Sequence, residues 1–168
     1  IDLEKLSQLY QQLGGALALP SVVVPARGTA RLVVFLCRAN SARSQIAEGW
    51  MRTLSDGRIT VRSAGIQPTQ LHPLATQVMA DVGIDIGYQH AKHVDTLKNL
   101  HPDAVITVCD IAREECAVWD QASQWLHWSI PDPVTAPPGE QQLMAFRRVR
   151  DALRQRVEGL LALLDLLD

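Results

Sequence analysis

The chain has 168 residues, of which 47% are hydrophobic and 20% are charged, and its formal net charge is −2. This length suits a single domain with one core, and the small net charge argues against general binding of nucleic acid or of a membrane surface. No apolar run approaches the roughly 20 residues of a transmembrane helix. Three cysteines do not make a disulfide scaffold, so we expect functional thiols in a reducing cytoplasm.

Residues 1–30 are predicted to form an N-terminal helical extension or linker before the main domain. Between positions 2 and 13, apolar residues recur at spacings of three and four, which is typical of an amphipathic helix. Gly14 and Gly15 would end that helix, and Pro20 and Pro25 interrupt the apolar segment that follows. Two interpretations stay open: a helix packed on the domain, or a segment that contacts a fused upstream domain or the second chain of a dimer.

The rest of the chain, residues 31–168, alternates strands with helices. Short apolar runs predict strands over residues 32–36, 103–108 and 125–128, and moderate alternation of apolar and polar residues predicts another over 59–64. Apolar periodicity, prolines at first turns and glycines after last turns predict helices over residues 41–54, 73–82, 95–99 and 140–167. This alternation predicts an α/β domain of three layers, with a four-stranded parallel sheet flanked by helices and ligands bound beyond the carboxyl ends of the strands.

The segment CRANSARS, residues 37–44, joins the first predicted strand to the first predicted helix of this domain. Backbone N–H groups at the start of that helix would form an oxyanion cradle, and Arg43 could bind two oxygens of a tetrahedral anion. The helix dipole and the guanidinium favour thiolate, so we expect the pKa of Cys37 to fall from about 8.5 toward 4–7. We predict a nucleophilic Cys37 beside a bound phosphate-like anion, in a loop formed by Arg38, Ala39, Asn40, Ser41, Ala42 and Ser44.

CRANSARS resembles the C-x-x-N-S-x-R-S loop that low-molecular-weight protein tyrosine phosphatases share with thioredoxin-coupled arsenate reductases. The segments QIAEGWMR and VRSAGI extend the resemblance, which covers residues 31–161. It implies the low-molecular-weight phosphatase fold, with a flavodoxin-like topology. The loop departs from the family pattern at Arg38 and Ala39, where the family has a small or polar residue, and Arg38 adds a positive charge there.

Two more cysteines follow the third predicted strand, in the segment ITVCDIAREECAVW. Cys109 and Cys116 lie seven positions apart, which is about 10 Å along a helix that rises ~1.5 Å per residue. A disulfide needs Cα atoms within roughly 4.4–6.8 Å, so the two can bond only if the segment loops back or unwinds. Arsenate reductases that resemble this chain carry cysteines at both positions. The resemblance therefore implies a relay from Cys37 to Cys109 to Cys116 that reduces arsenate to arsenite and is regenerated by thioredoxin.

The segment SIPDPVT contains Asp132 followed by Pro133, which matches the Asp-Pro loop of this family. The resemblance implies that Asp132 is the general acid that protonates the departing oxygen. Phosphatases of this fold often follow Asp-Pro with tyrosines that line an aromatic substrate slot. Val134 and Thr135 follow here, which argues against phosphotyrosine as the main substrate.

Some arsenate reductases of this family hold a potassium ion near the loop through Asn, Glu, Ser and Asp side chains. Asn40, Glu48 and Ser63 match the first three, but Lys92 stands in place of the Asp. An ammonium there could replace the charge of the ion, so we expect no potassium requirement. We also expect no metal site and no cofactor.

Three functions remain in consideration from the sequence. The leading hypothesis is a cytoplasmic arsenate reductase, which requires Cys109 and Cys116, acts on arsenate (or binds phosphate) and uses thioredoxin as reductant. The alternative is a phosphatase that hydrolyses phosphomonoesters through a phosphocysteine, with Cys37, Arg43 and Asp132 in the same roles. The third is a non-catalytic oxyanion sensor attached to an upstream regulatory domain.

Overall fold

The computed structural model describes residues 31–115 and 124–165. Its four strands are β1 (Arg31–Cys37), β2 (Ile59–Gly65), β3 (Ala104–Thr107) and β4 (Trp125–His127). Its α-helices are α1 (Arg43–Leu54), α2 (Pro73–Ala80), α3 (Asp110–Glu115) and α4 (Glu140–Asp165). All the strands pair in parallel, in the order β2-β1-β3-β4. The predicted α/β fold with a four-stranded parallel sheet is confirmed.

Strand β1 lies inside the sheet between β2 and β3, which explains why its sequence is apolar on both faces. Phe35 and Leu36 are fully buried there. Helices α1, α2 and α4 pack against one another, and the indole N–H of Trp50 on α1 donates to the Arg150 carbonyl of α4 at 3.0 Å. Buried Phe146 and Leu153 come from α4. One continuous core therefore anchors both ends of the loop that follows β1.

The element boundaries differ from the predictions in a few places. Helix α1 begins at Arg43 rather than at 41, because the preceding residues wrap into a loop. The predicted helix 95–99 is a 3₁₀ turn over Val94–Leu97. Helix α3 was not predicted as an element, since six residues are too few to establish a helical period. Helix α4 begins at Glu140, as predicted.

Residues 1–30 and Cys116 lie outside the described residues, so the predicted N-terminal helix and the division of the chain at residue 30 stay predictions. Among the described helices, none combines the length and the apolar character needed to cross a membrane.

The carboxyl ends of β1 and β3 meet at one edge of the sheet. Leu36 pairs with Thr107, and the Val108 N–H donates to the Leu36 carbonyl at 2.8 Å. Cys37 follows Leu36 directly and Cys109 follows Val108 directly, so both thiols lie at this edge. This is where ligands bind in open parallel sheets.

Candidate active site

Cys37 lies at the centre of a tight turn formed by residues 37–44. Its side chain is only 2% exposed. The Asn40 backbone N–H donates to the Cys37 sulfur at 3.1 Å, and the Ser44 hydroxyl is hydrogen-bonded to the same sulfur at 2.9 Å. Asn40 adopts a positive φ of 47°, which turns its N–H toward the sulfur. The loop is thus wrapped around the thiol, as the sequence predicted.

Helix α1 begins beside the thiol without a capping side chain. Ala42 occupies the N-cap position and makes no side-chain cap, and the first turn contains no acidic residue. The first N–H groups of the helix therefore have no side-chain acceptor from the cap, and no carboxylate within the first turn offsets the helix dipole. This arrangement suits a bound anion.

Arg43 connects the loop to the segment that carries Asp132. Its Nη1 donates to the Ile130 carbonyl at 3.0 Å, and its Nη2 pairs with an Asp132 carboxylate oxygen at 2.8 Å. The other oxygen of Asp132 accepts the Val134 N–H at 3.1 Å and so caps a 3₁₀ turn, Pro133–Thr135. Cys37, Arg43 and Asp132 therefore share one site. The sequence assigned the guanidinium to an oxyanion alone, and the structure adds this ion pair.

The other three loop residues that were predicted to surround the anion, Arg38, Ala39 and Ser41, attach the loop to the segment that follows β2. Arg38 is exposed, and its guanidinium donates to the side-chain oxygen of Gln67 at 3.0 and 3.1 Å. The Ser41 carbonyl accepts the His72 N–H at 2.8 Å. Together with the Gln67 and Thr69 N–H groups, which donate to the carbonyls of Arg38 and Ala39, this bond fastens the loop to residues 67–72.

Gly65 allows the loop to approach β2 this closely. A Cβ atom on Gly65 would lie 2.6 Å from the Arg38 carbonyl oxygen and 2.8 Å from the Asn40 nitrogen. Gly65 cannot easily withdraw, because it pairs with Cys37 in the sheet and donates its N–H to the Lys92 carbonyl at 2.9 Å. Any larger residue at this position would press directly on the loop backbone.

The pKa of Cys37 differs from the sequence-based prediction. Burial of the thiol is the largest influence and raises its pKa above the ordinary value, and nearby Cys109 raises it further. The hydrogen bonds from Ser44 and the charge of Arg43 lower the pKa, but they do not outweigh burial. The predicted fall toward 4–7 was wrong, because the sequence indicated the cation and the helix but not the depth of the sulfur.

This balance predicts how Cys37 reacts as the pH changes. A raised pKa means that the thiolate fraction, and hence the rate of alkylation by iodoacetamide, should still increase above pH 8.5. Replacing Ser44 by alanine removes a hydrogen bond that lowers the pKa, so we expect alkylation about ten-fold slower at pH 7.5. Mass spectrometry of the Cys37 peptide measures both rates. Ser55→Ala, a buried serine at the far end of α1, is the control, and a rate plateau below pH 7 would contradict the raised pKa.

Cys109 lies at the carboxyl end of β3, one strand away from Cys37. Its side chain is 6% exposed, and the Ala112 N–H donates to its sulfur at 3.4 Å, within the first turn of α3. Both thiols are free. The proximity that the sequence predicted for Cys37 and Cys109 is therefore present, because the two residues follow paired positions of the neighbouring strands β1 and β3.

A chain of buried polar groups supports Asn40 from behind the loop. Its side-chain NH₂ donates to the hydroxyls of Ser44 and Ser63, and Ser63 in turn donates to Glu48. The Asn40 side-chain oxygen accepts the Lys92 backbone N–H at 2.9 Å. This network fixes the residue whose N–H donates to the Cys37 sulfur.

These residues do not fit a potassium ion. The two Glu48 oxygens already accept from Arg52 and from Ser63, and the Lys92 ammonium lies 3.9 Å from one of them. A guanidinium and an ammonium beside the carboxylate oppose the entry of a cation. In the described part of the chain, no three His, Cys, Asp or Glu side chains converge on a metal site.

We therefore predict that potassium does not activate the protein. The rate of the reaction at the Cys37 site should be the same in sodium and potassium buffers of equal ionic strength. The reason is that the Lys92 ammonium already supplies the positive charge near Glu48. Steady-state rates in the two buffers test this. A marked increase in potassium would contradict it.

Comparison with known proteins agrees with this geometry. The family model for low molecular weight phosphotyrosine protein phosphatase matches residues 32–166. The chain belongs to this family.

Relatives that are similar to this chain include proteins named arsenate reductase. The glutaredoxin arsenate reductase of Synechocystis sp. is 36% identical over 130 residues, which cover 77% of this chain and 95% of the relative. The arsenate reductase of Bacillus subtilis is 36% identical over 129 residues, covering 76% and 93%. A solved structure described as an arsenate reductase in the phosphate-binding state is 35% identical with a TM-score of 0.69, covering 80% of this chain and 98% of that one.

Sequence reasoning missed the role of one residue in this phosphatase-family site. Gln45 is fully buried, and its side-chain NH₂ donates to the Asn40 carbonyl at 2.6 Å. Gln89 donates to the Gln45 side-chain oxygen at 3.1 Å and so extends the support outward. The sequence around Gln45 offered no local signal for this role, because Arg43 and Ser44 precede it and its partners lie up to 44 positions away.

Proposed function

We propose that this protein reduces arsenate to arsenite with electrons from its own thiols. The observation that carries the proposal is the second buried thiol, Cys109, at the end of the strand next to Cys37. Hydrolysis of a phosphoester needs a single nucleophilic cysteine, whereas reduction needs a second sulfur that can attack the first. Relatives at about 36% identity that bear the name arsenate reductase support the same assignment.

In the first step, the Cys37 thiolate attacks the arsenic of arsenate held by the loop N–H groups. An As–S bond forms and an As–O bond breaks, and the departing oxygen leaves as water after it takes a proton from Asp132. Arsenate in the loop would compete with Asp132 for the Arg43 guanidinium, which the carboxylate contacts at 2.8 Å.

In the second step, the Cys109 thiolate attacks the Cys37 sulfur. The S–S bond forms and the S–As bond breaks, and the electron pair remains on arsenic, which leaves as arsenite. Two thiols are oxidised to one disulfide and As(V) is reduced to As(III), so the electrons balance. The short helix α3 carries few buried side chains, Ala112 alone among its six residues, so moving Cys109 toward Cys37 disturbs little packing.

In the third step, Cys116 attacks Cys109, which frees Cys37 and leaves a Cys109–Cys116 disulfide. We propose thioredoxin as the external reductant, because an intramolecular disulfide is a substrate for a dithiol. Glutaredoxin is the alternative, since the name of the Synechocystis relative includes it.

The proposed oxyanion-binding loop consists of Arg38, Ala39, Asn40, Ser41, Ala42 and Ser44.

The test is to measure arsenite formed from arsenate with thioredoxin, thioredoxin reductase and NADPH, and in parallel with glutathione and glutaredoxin. We expect arsenite at catalytic turnover with the thioredoxin system and none with Cys37→Ser. Turnover with glutaredoxin alone would overturn the choice of reductant but keep the reaction. Absence of arsenite with both systems would overturn the proposal.

Phosphomonoester hydrolysis is the second candidate, because the chain belongs to the phosphatase family and Cys37, Arg43 and Asp132 would serve that reaction in the same roles. The assay is hydrolysis of p-nitrophenyl phosphate at the same enzyme concentration. We expect slow hydrolysis that does not depend on Cys109, since water replaces the second thiol as the attacking group.

A further inference from the structure

A cavity of about 260 Å³ lies behind the active-site loop, between α1, β2 and the chain that follows α2. Arg52 from α1, Arg62 from β2 and Lys92 line it, together with Glu48, Tyr88 and Gln89. Cys37, Arg43, Cys109 and Asp132 do not line it, so it is separate from the proposed reaction site. Its volume exceeds that of a tetrahedral oxyanion and leaves room for several waters.

The cavity has an excess of positive charge. Three cationic side chains and one carboxylate line it, a formal excess of two charges. The carboxylate of Glu48 is almost fully buried and is already occupied by Arg52 and Ser63. In contrast, Arg62 has no carboxylate within 4.0 Å in the part of the chain that the structure describes, and its guanidinium donates to the Val61 carbonyl at 2.9 Å.

Lys92 is one of the cations that create this excess of positive charge. Its side chain is only 16% exposed, and its ammonium donates to the His90 carbonyl at 3.2 Å. The pKa of Lys92 is lowered, and burial of the ammonium is the largest cause. The charge of Glu48 raises the Lys92 pKa, whereas the charges of Arg62 and Arg52 lower it. A bound anion would relieve the repulsion among these three cations.

The walls of the cavity are connected to Asn40 by three separate routes. Gln89 reaches it through Gln45, which donates to the Asn40 carbonyl. Lys92 donates its backbone N–H directly to the Asn40 side chain, and Glu48 connects through Ser63. Asn40 in turn donates its N–H to the Cys37 sulfur. A change in the cavity therefore reaches the catalytic loop through buried hydrogen bonds.

We infer that this cavity is a second anion site, which binds a small doubly charged oxyanion of the phosphate and arsenate class between Arg62, Arg52 and Lys92. Its occupancy stabilises the conformation of Asn40 and so increases the affinity of the catalytic loop for its own oxyanion. The coupling is reciprocal by thermodynamic linkage. A site of this kind would let the concentration of free oxyanion tune the loop.

The test is a titration of the full chain with inorganic phosphate, followed by NMR of backbone amides. Residues 88–92 report on the cavity, and residues 41–43 report on the loop. Arg62→Gln removes the cation without a carboxylate partner, and Arg62→Lys keeps its charge. Arg156→Gln, an exposed arginine on α4, is the matched control for loss of one positive charge.

We expect the cavity amides to titrate in the wild-type chain, and their midpoint to weaken about ten-fold or more in Arg62→Gln but not in Arg156→Gln. Arg62→Lys should restore most of the affinity, which separates loss of charge from misfolding. The loop midpoint should weaken in Arg62→Gln as well. Cavity amides that do not respond, or that respond equally in Arg62→Gln and Arg156→Gln, would overturn the site, and an unchanged loop midpoint would overturn the coupling.

Discussion

Cys109→Ser is expected to abolish arsenite production while leaving the protein folded. The proposed relay cannot release arsenite without a second sulfur to attack Cys37, so steady turnover should fall by on the order of 10⁴-fold, as for loss of a nucleophile from a catalytic unit. Serine is nearly isosteric with cysteine and can still accept the Ala112 N–H that now contacts the sulfur. The measurement is arsenite released per chain in the thioredoxin-coupled assay.

Comparing Cys116→Ser with Cys109→Ser tests the order in which the thiols react. This variant should release about one equivalent of arsenite per chain and then stop, because the Cys37–Cys109 disulfide forms but nothing resolves it. Hydrolysis of p-nitrophenyl phosphate is the control for an intact loop and should persist in both serine variants. Wild-type arsenite turnover in either variant would refute the three-thiol relay.

Gly65→Ala is expected to damage the active site from the neighbouring strand. The new Cβ would lie 2.6 Å and 2.8 Å from two backbone atoms of the loop, and the sheet pairing with Cys37 prevents β2 from withdrawing. We expect a loss of about 1–3 kcal/mol in the free energy of unfolding, typical of overpacking. Displacement of the loop by about 1 Å should lower turnover by about 100-fold. Chemical denaturation and the arsenite assay measure the two effects.

Gly159→Ala is the matched control for this substitution. Gly159 lies on the exposed face of α4, and a Cβ there would have open space around it. Because alanine favours the helix over glycine, this variant should be more stable by about 0.5–1 kcal/mol and fully active. If Gly65→Ala behaved like Gly159→Ala, the close approach between β2 and the loop would not matter for function.

The sequence predicted correctly those strands, helices and loops whose signal lies within a short stretch of residues. The apolar run before Cys37, the small polar residues after it and the helix-like segment predicted over residues 41–54 indicated the strand, loop and helix of the site. The start of α4 and the parallel pairing of the strands were also predicted. Helix α3 was not, since Ile111 and Ala112 are too few apolar residues to mark a period.

The sequence by itself determined which groups can react: three thiols, one arginine six positions after the first of them, and an aspartate before a proline. Only the tertiary structure decided how those groups influence one another. Burial of Cys37 raises its pKa despite the nearby cation, and Arg43 pairs with a carboxylate 89 positions away. Solvation and contacts between distant segments set these properties, because both depend on how the whole core closes around the loop.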